Sequence, residues 1–177
     1  MEYLFEHRKE SVVNRIFPDH FYPLMKRVIL MTCPTVAIVS GHAYAGGMCL
    51  AMAHDFRVML DGGGIKMCMN EISLGSPIPK GIVEILKCKF KCHTELHDAL
   101  LMPVSFNAKM ALEHGIVNRL GKNENELVQA AKEIIEVHKN NCGTSYSLIK
   151  TTIYSEAIKE LESKEDIPIN ALFKSLL

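Results

Sequence analysis

Two glycines and one glutamate have the types and surroundings that suit chemistry. Gly46-Gly47 lies between the β-branched run Thr35–Val39 and the helix-forming run Met48–Ala53. At such a turn the first N–H groups of the helix have no carbonyl partner, and the positive end of the helix dipole reinforces them. A developing oxyanion is stabilised there, and glycine permits its close approach. The same glycines also suit a tight strand-to-helix connection, so spacing leaves both readings open. Phosphate cradling is the weaker version, because the chain lacks the Gly-Lys-Ser/Thr of a P-loop and the three-glycine dinucleotide fingerprint.

Glu71 follows an alternating apolar segment and precedes Ile72, Leu74 and Gly75. Apolar surroundings raise a carboxyl pKa and make the ionised form a better base. A solvated glutamate at a strand end is the competing reading, and position alone does not separate the two. Other groupings are weaker. Cys49 and His42 are separated by a turn and a helix start, which gives no dependable nucleophile–base geometry. Cys88 and Cys92 are one helical turn apart near His93 and His97, but their spacing matches no standard zinc pattern. Met48, Met52, Met59, Met67 and Met69 can line an alkyl chain, although core packing is the expected use of such thioethers. Asp55 is expected to shape a turn, and His54 to join local hydrogen bonding.

The elements that must position these residues can be read from periodicity. Apolar positions from Phe21 to Met31 recur in steps of three and four, predicting an amphipathic helix from about Asp19 that Cys33-Pro34 ends. Thr35–Val39 predicts a strand buried on both faces. A glycine turn, a helix and a second strand, Phe56–Leu60, follow. Ile65, Met67 and Met69 alternate with Lys66 and Cys68, predicting a half-buried strand. A helix is expected from Lys80, another over Thr94–Leu101, and another capped by Ser105 and closed by Gly115. Ile116–Leu120 reads as a strand, and Glu124–Lys139 and Ser145–Glu162 as helices. The expected organisation is a peripheral segment 1–20, a partial core 21–120 and a helical region 121–177.

Bulk composition narrows the class. The 177 residues are 48% hydrophobic and 23% charged, with twenty basic and twenty acidic side chains. That balance predicts one globular domain with no strong field to attract nucleic acid. Apolar runs are too short to span a bilayer, and the charged start MEYLFEHRKE does not read as a secretion signal. The expected setting is therefore intracellular and reducing, with six free cysteines.

The strings PTVAIVSGHAYAGGMCLAMAHDFRVML and CMNEISLGSPIPKGIVEIL resemble the enoyl-CoA hydratase/isomerase (crotonase) superfamily, particularly its Δ3,Δ2-enoyl-CoA isomerase branch. The resemblance covers about residues 20–155 and is looser through LLMPVSFNAKMALEHGIVNRL. It implies an α/β, crotonase-like (ClpP/crotonase) spiral of ββα units with C-terminal helices, here without the first half of the usual domain. It also implies that Glu71 is the acid/base and that Gly46 supplies an oxyanion-hole N–H. Ala45, Gly47, Cys49, Leu74 and Gly75 would line the substrate. Cys49 stands where hydratases carry a second glutamate, which disfavours hydration.

The implied activity is conversion of 3-enoyl-CoA to trans-2-enoyl-CoA in fatty acid β-oxidation. Coenzyme A would be part of the substrate, with no separate cofactor and no metal. A trimer or hexamer is implied, in peroxisome, mitochondrion or cytosol; Ser175-Leu176-Leu177 is only a faint peroxisomal signal. Loss of the other oxyanion donor, carried by the family's first half, would cost of order 3 kcal/mol, or two to three decades in rate. An exposed sheet edge would accompany it. A catalytically impaired acyl-CoA-binding or assembly subunit is the alternative.

Overall fold

A computed structural model describes residues 15–163. Among the described residues six short strands form two small sheets: β1 (Val36–Val39), β2 (Ala43–Tyr44), β3 (Phe56–Leu60), β4 (Lys66–Cys68), β5 (Phe106–Asn107) and β6 (Arg119–Gly121). The first sheet has the order β1-β3-β6, all parallel, with Val36 opposite Phe56 and Val58 opposite Arg119. In the second, β2 pairs parallel with β4, and β4 antiparallel with β5. Parallel neighbours require a crossover. Helix α2 (Gly46–Ala53) lies in the connection from β1 to β3.

Helix α2 is apolar around its whole circumference, and Met48, Cys49, Ala51, Met52 and Ala53 are buried while Gly47 stays exposed at its start. Met48 and Met52 are fully buried, with Met59, Met67 and Met69 packed in the same cluster. All five methionines are therefore core. Each such burial contributes roughly 1.5–3 kcal/mol. Around them pack α1 (Tyr22–Ile29), α3 (Lys80–Lys87), α4 (His93–Leu101) and α5 (Ala108–Glu113). Helix α6 (Glu124–His138) covers Val58 of the first sheet with Leu127, Ala130, Ala131 and Ile134. Beyond it follow α7 (Thr144–Ile153) and α8 (Ser155–Glu162), with α8 against α3. The two helices pack tightly at Gly81, where an added Cβ would lie 2.8 Å from Leu161 Cδ2.

Several expectations are corrected. Strand β1 is not buried on both faces: Ile38 is 45% exposed, because β1 is an outer strand of its sheet among the described residues. Cys68 breaks the expected alternation and is buried, its thiol donating to Pro103 O at 3.5 Å. Asn107, not Ser105, caps α5, since pairing with β4 keeps the chain extended through Phe106–Asn107. The strand expected at Ile116 begins at Arg119. The last long helix divides at Tyr154 (φ −101°, ψ 19°), whose ring is buried beneath the Lys89 ammonium.

Helix α1 is shorter than expected and follows a wide helical turn, Phe17–Phe21. Four cysteines, 33, 88, 92 and 142, are exposed, so only Cys49 and Cys68 act as buried hydrophobes. The expected peripheral segment lies outside the described residues up to Asn14, as does Ser175-Leu176-Leu177. No helix among the described residues is long and apolar enough to cross a membrane.

Candidate active site

The site begins where β2 meets α2. Ala45 has φ 48° and ψ −119°, the positive φ of a non-glycine residue. Such a conformation costs on the order of 1–3 kcal/mol and persists only where its neighbours hold it. Two hydrogen bonds do so: Ala45 N–H donates to Cys68 O at 2.9 Å, and Cys49 N–H donates to Ala45 O at 3.0 Å. The second bond is the first turn of α2, so the N–H groups of Gly46, Gly47 and Met48 precede helical pairing. Gly46 packs beside the Phe21 ring with room for ordinary van der Waals contact only.

Glu71 lies past the end of β4, at the start of a single tight turn, Ile72–Leu74. The backbone is fixed by Leu74 N–H and Ser76 N–H, both donating to Glu71 O at 2.9 Å. Gly75 closes the turn at φ 63°, a left-handed position that suits glycine. The carboxylate is enclosed, and its Oε2 is buried without a protein hydrogen-bond partner. Desolvation raises the Glu71 pKa above the ordinary glutamate value, against a smaller lowering by its own backbone N–H. Asn70 Oδ1 beside it is likewise buried and unpartnered.

Two thiols feel the Glu71 charge. Burial pushes Cys49 and Cys68 up, and the nearby carboxylate pushes both further. Cys49 donates to Met69 Sδ at 3.8 Å and is no thiolate nucleophile. His42 is exposed, stacked on Tyr44, and accepts from Lys66 N–H at 3.3 Å. It forms no dyad with Cys49. Gly47 lines a groove of about 380 Å³ along β1, and Leu74 is half-buried beside the Glu71 turn. Ala45, Cys49, Cys68 and Glu71 are thus linked by hydrogen bonds and charge. Among the described residues no three His, Cys, Asp or Glu side chains converge as a metal site, and the Cys88–Cys92 grouping holds none.

A second carboxylate, Asp55, sits past the other end of α2. Thr35 N–H and Oγ1–H donate to its Oδ2 at 2.9 and 2.8 Å, and Lys150 Nζ lies 2.9 Å from Oδ1. Burial alone would raise the Asp55 pKa, but the Lys150 and Thr35 bonds outweigh it and hold it below the ordinary value. Around it, Arg57 Nη1 and Lys89 Nζ each donate to His54 O at 2.9 Å. Burial, with Arg57's like charge adding, brings Lys89 down to about 8. Sequence reasoning missed this network, because Lys150 is 95 residues from Asp55. It also missed β2 and the Ala45–Cys68 link, since alanine carries no signal for positive φ.

Comparison with known proteins agrees with this architecture. The family described as enoyl-CoA hydratase/isomerase matches residues 6–174. Peroxisomal enoyl-CoA delta isomerase 2 of Arabidopsis thaliana is 26% identical over 84% of this chain and 63% of its own length. A carnitinyl-CoA dehydratase of Shigella flexneri is 30% identical over 66% of this chain and 43% of its own. The chain spans about three fifths of the curated isomerases it matches. A probable enoyl-CoA hydratase from Mycobacterium tuberculosis shares the fold, with a TM-score of 0.78 at 20% identity, over 99% of this chain and 71% of that one. With its crotonase-like fold and a match along nearly its whole length, the chain belongs to the enoyl-CoA hydratase/isomerase family.

Proposed function

We propose that the chain moves a carbon–carbon double bond, converting a 3-enoyl-CoA to the trans-2-enoyl-CoA. Glu71 removes a proton from C2, leaving a dienolate whose negative charge rests on the thioester oxygen. The Gly46 N–H donates to that oxygen, where preorganised donors contribute most. Glu71 then returns the proton at C4, so one carboxylate completes the cycle without water, metal or cofactor, coenzyme A being part of the substrate. Ala45 holds the donor in place, and Gly47, Cys49, Leu74 and Gly75 complete the lining.

The observation that carries this reading is the buried Glu71 Oε2 with no protein partner, on a carboxyl whose pKa burial has raised. Such a group costs stability, and perturbed groups of this kind cluster at functional sites. Thiol Cys49 beside it supplies no second carboxylate to activate water, which favours isomerisation over hydration or dehydration. The test is absorbance of the conjugated product from a purified chain given 3-enoyl-CoA, beside Glu71→Gln. Turnover that disappears with Glu71→Gln supports the proposal; unaltered turnover sinks it.

A second reading, an acyl-CoA-binding or assembly subunit, is favoured by exposed apolar surface at Ile38 on β1 and at Leu148, Ile149 and Ile153 on α7. That surface also suits a homo-oligomer, trimer or hexamer. The peroxisomal relatives support a peroxisomal setting, with mitochondrion and cytosol as alternatives.

A further inference from the structure

Two exposed thiols, Cys33 and Cys142, flank one backbone hydrogen bond, in which Gly143 N–H donates to Thr32 O at 2.7 Å. Cys33 follows Thr32 and Cys142 precedes Gly143, so covalent geometry limits how far apart they can be. Across a trans peptide the Thr32 oxygen lies about 2.8 Å from the Cys33 Cα, and the Gly143 nitrogen about 2.4 Å from the Cys142 Cα. Added to the hydrogen bond, these lengths keep the two Cα atoms within about 8 Å. Every bend in that path brings them closer to the roughly 4.4–6.8 Å that a disulfide spans.

Other contacts hold the same two segments together. Lys150 Nζ, from α7, donates to Met31 O at 3.5 Å and pairs with Asp55, whose Oδ2 takes both Thr35 donors. Gly143 caps α7 at φ 102°, and its oxygen accepts from Ser147 N–H at 3.2 Å. Burial raises the Tyr146 phenol, and the charges of Asp55, Tyr154 and Cys33 add to that rise, so Cys33 lies near the first turn of α7. The Cys142 thiol donates to Lys139 O at 3.2 Å, a weak bond on an exposed residue.

We propose that Cys33 and Cys142 form a reversible disulfide when oxidised by hydrogen peroxide, tying the turn after α1 to the start of α7. The thiolate of one cysteine attacks a peroxide oxygen, the O–O bond breaks, and hydroxide leaves and takes up the thiol's proton as water. The second sulfur then attacks the sulfenic acid; the S–O bond breaks, and the hydroxyl leaves with the second thiol's proton as another water. Two thiols and one peroxide become one disulfide and two waters, with two electrons passing from sulfur to oxygen. A dithiol reverses the bond by exchange. The loop so closed contains β1 to β6 and α2 to α6. Cross-linking so long a loop restricts the unfolded chain far more than the folded one, whose two ends already meet.

The test treats the full reduced chain with a small excess of hydrogen peroxide, blocks the remaining thiols under denaturing conditions, and reads the digest by mass spectrometry beside a non-reducing gel. Expected is a peptide pair joining Cys33 to Cys142, lighter by two hydrogens, on a single chain that migrates faster than its reduced form. The pair vanishes in Cys33→Ser and in Cys142→Ser but persists in Cys88→Ser, which removes a thiol turned to Ile153 O at 3.8 Å. Peroxide moves the urea midpoint of the unsubstituted chain upward, dithiothreitol restores it, and neither Cys33→Ser nor Cys142→Ser shows the shift. Sulfinic or sulfonic acids at both positions without a cross-link overturn the proposal, as does pairing of Cys88 with Cys92 in its place. A cross-link between two copies overturns the tether within one chain, and so does a cross-link that leaves the urea midpoint unmoved.

Discussion

Two enclosed carboxylates, Asp55 and Glu71, are treated in opposite ways. Asp55 receives two bonds from Thr35 and an ion pair from Lys150, and its pKa falls. Glu71 keeps one buried oxygen without a protein partner, and its pKa rises. Both lie near α2, Asp55 past its C-terminal end and Glu71 beside Cys49 in its first turns. The difference is in what surrounds them. A satisfied buried charge ties elements together; an unsatisfied one waits for a ligand or a proton. That contrast separates the structural end of α2 from the end proposed to carry the chemistry.

The largest expected effect is on the satisfied side. Lys150→Met leaves Asp55 buried and unpaired, and about 3–5 kcal/mol of stability is lost, read as a drop in the urea midpoint. Adding Asp55→Asn recovers part of it. The pH sign follows from the lowered Asp55 pKa: its contribution is present above the unfolded value and disappears as pH falls through the folded one. A loss near zero in Lys150→Met would erase the contrast.

On the unsatisfied side the sign reverses. The folded chain binds the Glu71 proton more tightly than the unfolded chain, so ionised Glu71 opposes folding at neutral pH. Glu71→Gln therefore raises the melting temperature at pH 7 while abolishing turnover, and its advantage vanishes in acid below the unfolded pKa. A melting temperature that falls would show that Glu71 has stabilising partners after all. Away from both carboxylates, Gly81→Ala tests packing alone. Its Cβ would lie 2.8 Å from Leu161 Cδ2 and 3.1 Å from Leu161 N, and the α3–α8 contact loses roughly 1–3 kcal/mol. The Glu71 pH profile should not move with it.

Local pattern carried much of this molecule. The glycine turn, α2, β3 and the Lys80 start of α3 all followed from runs of good helix formers, β-branched residues and punctuation. Gly46 and Glu71 stood out in the sequence as candidates because each adjoins an element whose period is clear. What stayed hidden depends on partners distant in sequence. Exposure of Ile38 depends on which strand lies beside β1, and the low Asp55 pKa depends on Lys150 from α7. Two-residue strands such as β2 and β5 are too short to show a period, and Ala45 reaches positive φ only because Cys68 and Cys49 hold it there.

The most direct measurement is a carboxyl-carbon NMR titration that follows Asp55 and Glu71 in the same sample, with Glu71→Gln identifying its resonance. The prediction is two well-separated midpoints, Asp55 below the ordinary aspartate value and Glu71 above the ordinary glutamate value, with loss of activity following the Glu71 curve as pH falls. A Glu71 midpoint at or below the ordinary value would contradict its assignment as a desolvated base.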